Sequence, residues 1–174
     1  GTGTSLVKIE GDDIQHIGGI GIGGGTLQGL SRLLLKTDDM RQVANIASLG
    51  DISNINLQIQ DICAHSLPDL PMDATASLFG KAESNATSED IAIGIIYTVL
   101  QTIGSAAILS GLNSGIKDFV LIGNLTLLPQ CKEIFAKMEN VYGVHFHLPL
   151  HAEYRTAIGA ALSYWKSKDT QCNP

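Results

Sequence analysis

Charge is scarce in this chain. Asp, Glu, Lys and Arg make up only 16 % of its 174 residues, against roughly 25 % in an average soluble domain, so part of the surface is expected to be covered by something other than water. Basic residues are rarer than acidic ones, 11 against 17, for a formal net charge of −6. A nucleic-acid groove or a polybasic membrane patch needs clustered Lys and Arg, and the chain has no such cluster, so neither partner is expected. Cysteine is sparse too: Cys63, Cys131 and Cys172 are an odd, scattered set without a CxxC pair. That fits a reducing compartment better than a disulfide framework, and the cytoplasm is the expected home. None of the three has a neighbouring base or a helix-start position that would make it a nucleophile, so they read as core or surface thiols.

The longest absence of charge runs from Ile91 to Ile116. A bilayer-crossing helix needs about 20 apolar residues, but Thr98, Gln101, Thr102 and Ser105 fall at i, i+3, i+4 and i+7 and draw a polar stripe down one face. A long buried helix is the reading, not a membrane span. Thr87, with Asp90 three residues on, resembles a capping box that opens this helix, which is expected to run to about Asn113. No signal peptide is expected from the opening residues; the chain starts without Met inside a Gly-Thr repeat that reads as the interior of a loop, with residues expected before Gly1.

What the chain does have is glycine in one place. "GGIGIGGGTLQGL", Gly18 to Leu30, carries seven glycines in its first twelve positions. It follows two short extended runs, Ser5 to Glu10 and Ile14 to Ile17, joined by Gly11-Asp12-Asp13, the composition of a hairpin. It leads into a helix over Gly25 to Lys36 with Leu27, Leu30 and Leu34 at helical spacing. Asp38 is placed to cap a second helix bearing Met40, Val43, Ala44 and Ala47, which Gly50 stops. Residues 51–87 read as a strand over "NLQIQDI" followed by a connecting loop. After the long helix come a buried strand "DFVLIGN", a helix over Leu127 to Asn140, an extended "VHFHLPL", and a terminal helix with Ala157, Ile158, Ala161 and Leu162 on one face. Alternating strands and helices predict one α/β layered lobe over residues 1–174, binding its ligand where loops leave strand ends.

A run without Cβ atoms lets backbone N–H groups approach an anion, and a helix starting near Gly25 adds the positive end of its dipole. A tight turn explains one or two glycines; this many point to a phosphate cradle. The loop contains no lysine, which sets aside the Walker A class. Gly19, Gly21 and Gly24 satisfy G-x-G-x-x-G, but the flanking "DIQHI" and "LLLKTDD" are not the strands a dinucleotide fold requires. A second glycine motif, "GTGTS" at Gly1 to Ser5, offers bare backbone and small hydroxyls to the same kind of ligand.

GTGTS, a hairpin, "HIGGIGIGGGTLQGL", "FVLIGN" and "YRTAIGAAL", in that order, resemble the C-terminal part of type II pantothenate kinase over nearly the whole chain. The resemblance implies a ribonuclease-H-like lobe of the actin-like ATPase superfamily, with a mixed sheet, an N-terminal β-hairpin and packed helices. It further implies a homodimer that uses ATP and Mg²⁺ to phosphorylate pantothenate, the first step of coenzyme A biosynthesis. By the same resemblance Thr2 contacts nucleotide phosphates, Gly23, Gly24, Gly25, Thr26, Leu27 and Gln28 line the nucleotide site, and Asn124 lies near the adenosine. Ser5 matches a pantothenate-contacting serine, and His16 stands where relatives carry an arginine that holds the substrate carboxylate. An imidazole cannot replace a bidentate guanidinium, so the acceptor is open at this point, and an ATPase or regulatory nucleotide-binding protein of the same superfamily is the alternative. The family's first phosphate loop and its general base are expected upstream of Gly1, so no catalytic residue is assigned within the chain and little turnover is expected of it alone.

The remaining constellations have plainer readings. In the H-x-H-x-x-x-H run of His145, His147 and His151, the first two offer a possible metal pair on one face of a strand, with ordinary strand and loop positions preferred. Glu153 serves a helix start. Asp12-Asp13 and Asp38-Asp39 serve turn and cap chemistry rather than catalysis. Tyr164 and Trp165 are expected to pack. A third reading makes the uncharged helix, through residues such as Ile95, a dimerisation contact.

Overall fold

The hairpin forms because Gly11 takes φ +59°, a left-handed conformation that costs a residue without Cβ little. In the structure, a computed structural model describing residues 1–68 and 70–171, β1 (Thr4–Glu10) and β2 (Asp13–Ile20) pair antiparallel around that turn. The register slips between Leu6, opposite Gly18, and Val7, opposite His16. Ile17 is therefore the extra residue of a bulge, which twists the ribbon just before the glycine loop.

α1 (Gly24–Leu34) starts directly in that loop, and α2 (Met40–Ala47) follows. Asp39, not Asp38, caps α2: its carboxylate accepts from the Arg41 N–H at 2.9 Å and the Gln42 N–H at 3.4 Å. Asp38 turns back to Arg32 at 2.5 Å, and that hydrogen bond holds its carboxyl below the ordinary range. Within 51–87 the expected strand "NLQIQDI" breaks after two residues. β3 (Leu57–Gln58) gives way to α3 (Ile59–Ile62) because the Asp61 carboxylate accepts the Gln58 N–H at 2.8 Å and closes a turn. β4 (Thr75–Ser77) pairs antiparallel with β3.

α4 (Ser88–Gly111) is the centre of the core. Ala92, Ile95, Ile96, Val99 and Leu100 are at most 1 % exposed, and α1, α2 and α5 (Gln130–Tyr142) pack around it. The helix is long and apolar enough by composition to span a bilayer, and 67 % of that apolar window is buried inside the protein. The chain itself thus covers most of the uncharged run. Ile95 lies in this interior, so it is not a contact for a second copy.

Only half of the expected capping box forms. Thr87 Oγ1 accepts the Asp90 N–H at 3.1 Å, but the buried Asp90 carboxylate accepts the Asp51 N–H at 2.8 Å and the Asn54 side-chain amide at 3.2 Å instead of returning to Thr87. Chiefly the Asp51 N–H holds this carboxyl below its ordinary pKa of 3.8. Asp90→Ala strands a buried donor and is expected to cost about 2 kcal/mol in denaturant unfolding. Because folding lowers this pKa, the contribution of Asp90 is complete above the unfolded value and is lost as pH falls below 3.8 through the folded value. The difference between wild type and Asp90→Ala should therefore shrink in melts below about pH 4.

β5 (Asp118–Val120) and β6 (His145–His147) run parallel. Phe146 ties them to α5, with ring centroids 4.7 Å from Phe135 and 5.5 Å from Phe119. The α/β character is as expected, but the described strands make three separate two-stranded pairs, not one mixed sheet. "DFVLIGN" is strand over three residues, and Val120 and Ile122 are 64 % and 51 % exposed, so it is covered on one face only. α6 (Arg155–Gln171) forms as predicted, yet Ile158 and Leu162 on its apolar face, and Tyr164 and Trp165 beyond, are exposed.

Candidate functional site

The two glycine segments, twelve residues apart in the chain, lie backbone to backbone. The Gly25 N–H donates to the Thr2 carbonyl at 2.9 Å. A Cβ on Gly23 would stand 2.8 Å from the Cα and carbonyl carbon of Gly3 and from the Thr2 oxygen, and one on Gly3 would stand 2.8 Å from the Ile20 oxygen. No side chain fits at such distances. Much of the glycine content is thus spent on seating one segment against the other, a requirement the anion argument did not contain.

Hydroxyls hold the second loop in shape. Thr26 Oγ1 accepts the Gly23 N–H at 3.3 Å and donates to the Gly21 carbonyl at 3.1 Å. Thr4 Oγ1 donates to the Ile22 carbonyl at 2.8 Å. Carbonyl oxygens at the loop's turn are thereby occupied, which matters because a free carbonyl would repel an anion. Of the first amides of α1, that of Gly25 is bonded to Thr2, whereas among the described residues no backbone acceptor meets those of Gly24 and Thr26. Two open N–H groups at the positive end of a helix are what an anionic oxygen needs.

Of the residues expected around a nucleotide, Thr2, Gly23, Gly24, Gly25 and Thr26 are brought together here. Gln28 is on the exposed side of α1. Leu27 is 0 % exposed, its side chain turned into the core, because the helix must anchor its apolar face while its first turn faces outward. Asn124 begins a short helical turn, residues 124–127, after Gly123 at φ +107°; that turn's main contacts run to α5 and to the turn at 152–154. Ser5 and His16 share a face. His16 sits opposite Val7, two residues along β1 from Ser5, so both project from the outer side of the hairpin, and both are exposed.

The other candidates resolve as side-chain pairs and core. His147 Nε2 lies 2.8 Å from Asp118 Oδ1, and this hydrogen bond holds the Asp118 carboxyl below its ordinary range. Among the described residues no three His, Cys, Asp or Glu side chains gather as metal ligands. Cys131 is 1 % exposed and burial pushes its thiol up to about 11, so it is core; Cys172 lies outside the described residues. Two features escaped the motif reading. Thr4 carries the cross-loop hydrogen bond, and its only sequence signal is a hydroxyl between glycine and serine. A cavity of about 580 Å³ opens beside the polar stripe of α4, walled by Gln101, Thr102, Ser105, Thr75, Asn140 and Tyr142. Its walls come from distant segments, which no local pattern joins.

The chain is 38 % identical over 109 residues to the type II pantothenate kinase of Staphylococcus epidermidis, covering 59 % of this chain and 41 % of that protein. It is 33 % identical over 128 residues to the type II pantothenate kinase of Staphylococcus aureus, covering 71 % of this chain and 48 % of the relative. It therefore spans less than half the length of these relatives. A family model described as Fumble matches residues 1–163, a span that contains both glycine segments, the hairpin between them and the whole core, and the chain belongs to the Fumble family.

Proposed function

We propose that residues 1–174 form a C-terminal, nucleotide-binding lobe, of the ribonuclease-H-like kind found in actin-like ATPases, in an ATP-dependent kinase that phosphorylates pantothenate. The observation that carries this reading is the stacking of the two glycine segments, which puts the open Gly24 and Thr26 amides beside Thr2. Polyphosphate oxygens are the anions that suit adjacent bare-backbone segments at a helix N-terminus. The names of the relatives, type II pantothenate kinase, support pantothenate as acceptor.

In this reading Thr2, Gly23, Gly24, Gly25 and Thr26 hold the phosphates, Asn124 serves the adenosine, and Ser5 and His16 face the acceptor. Neither glycine segment carries a carboxylate; Mg²⁺ would enter with the nucleotide and neutralise charge on its phosphate oxygens. No carboxylate described above is assigned as base: Asp38 and Asp39 are engaged with Arg32 and the start of α2. The enzyme acts in the cytoplasm as a homodimer; exposed Leu109 and Leu112, at 68 % and 67 %, are available to such a contact where Ile95 is not.

Calorimetric titration of the chain with Mg-ATP should give saturable binding, and a full-length kinase carrying this lobe should transfer phosphate to pantothenate. Absence of nucleotide binding would refute the site. Hydrolysis of ATP at the same rate with and without pantothenate would move the assignment to an ATPase.

A further inference from the structure

We propose that Thr4 is a positioning residue for the nucleotide's polyphosphate, acting through the Ile22 carbonyl; the proposal rests on the nucleotide-binding reading above. Thr4 alternates with Ser5 on β1, so the two point to opposite faces. Ser5 is exposed, and Thr4, half-buried, turns inward on the side of Leu6, which packs on the core. From there its hydroxyl crosses to the second loop and donates to Ile22 at 2.8 Å, an interaction spanning eighteen residues.

Beside the β1–β2 pairing, in which Thr4 lies opposite Ile20 and Ser5 opposite Gly19, two other polar ties are found near this point among the described residues. One is the Gly25 to Thr2 backbone bond, and the other is the Thr26 hydroxyl, which bridges Gly21 and Gly23 within the second loop. Thr26 shapes its own loop but does not reach the first. Thr4 is thus the side chain that couples the two segments, and the Thr2 backbone sits two residues from it. Loss of the hydroxyl leaves the Ile22 carbonyl free to turn toward the space an anion would occupy, and frees Thr2 to shift against Gly25. Both changes weaken contacts made by phosphates beyond the first and leave the nucleoside end alone.

The test compares Thr4→Val, which keeps the branched shape and removes the hydroxyl, with Thr4→Ser, which keeps the hydroxyl, and Thr4→Ala. Calorimetry or competition titration of the chain is run with Mg-ATP and with AMP, and each variant is melted. Thr4→Val and Thr4→Ala are expected to bind Mg-ATP about tenfold more weakly, the loss of one hydrogen bond, with AMP affinity unchanged and Thr4→Ser close to wild type. Equal affinities for Mg-ATP in Thr4→Val and wild type overturn the proposal. So does a serine variant as weak as valine, a parallel loss of AMP binding, or failure of both Thr4→Val and Thr4→Ala to fold, which would make the hydroxyl a stability element. If wild type itself binds no Mg-ATP, the nucleotide reading fails, and this proposal with it; normal binding in wild type with no change in the variants refutes the proposal alone.

Discussion

Gly23→Ala is expected to weaken Mg-ATP binding about a hundredfold while leaving the helical core folded, because a methyl group there overpacks the contact between the loops by about 2 to 3 kcal/mol. The Cβ would meet backbone atoms of Thr2 and Gly3 at 2.8 Å, and backbone leading directly into β1 at Thr4 cannot step aside as a flexible side chain does. Relief comes only if the Gly1–Ser5 segment lifts away, which separates Thr2 from the open amides of α1. Titration calorimetry measures the affinity, and circular dichroism reports whether the helices persist. Gly29→Ala is the control: it lies within α1 with no atom within 4 Å of the added carbon, so helix propensity should raise stability by up to about 1 kcal/mol without touching affinity. Undiminished Mg-ATP binding by Gly23→Ala would remove the stacked segments from the site.

Ile95→Glu is expected to abolish the folded state at room temperature. Ile95 is 0 % exposed at the middle of α4, surrounded by apolar side chains of the same core, and a carboxylate placed there must either lose its charge or pull the helix out of the interior. The cost, about 4 kcal/mol or more, is comparable to the whole stability of many domains. Thermal unfolding followed by circular dichroism should show no cooperative transition, whereas Leu109→Glu, at a position 68 % exposed on the same helix, should melt near wild type. A cooperative, wild-type-like melt for Ile95→Glu would mean that this face of α4 is not the core. The contrast separates the two roles an uncharged helix can have, interior of one chain or contact between two.

Where order is local, the residues announced it. The Gly11 turn, the start of α1 in the glycine loop, the Thr87 cap and the long α4 depend on neighbours within a few positions, and each lies where the pattern put it. Local patterns misled where a side chain found a better partner elsewhere. Asp38 went to Arg32 and left Asp39 to cap α2, Asp61 curled "NLQIQDI" into a turn, and Asp90 served Asp51 and Asn54 across 36 or more positions rather than its own helix start. The exposure of Val120, Ile122, Ile158 and Leu162 was equally illegible. Apolar periodicity says which face of an element is apolar, and only the neighbouring elements say whether that face is covered.

By itself the amino-acid sequence determined that this protein has two glycine-rich segments joined by a hairpin, a formal net charge of −6, and one long apolar helix, because composition and short-range spacing are enough to set all three. Only the tertiary structure decided why the glycines stand where they do. Gly23 and Gly3 are small because another strand of backbone lies against them, and close packing between segments distant in the chain is a property of three-dimensional contact that no window of sequence contains.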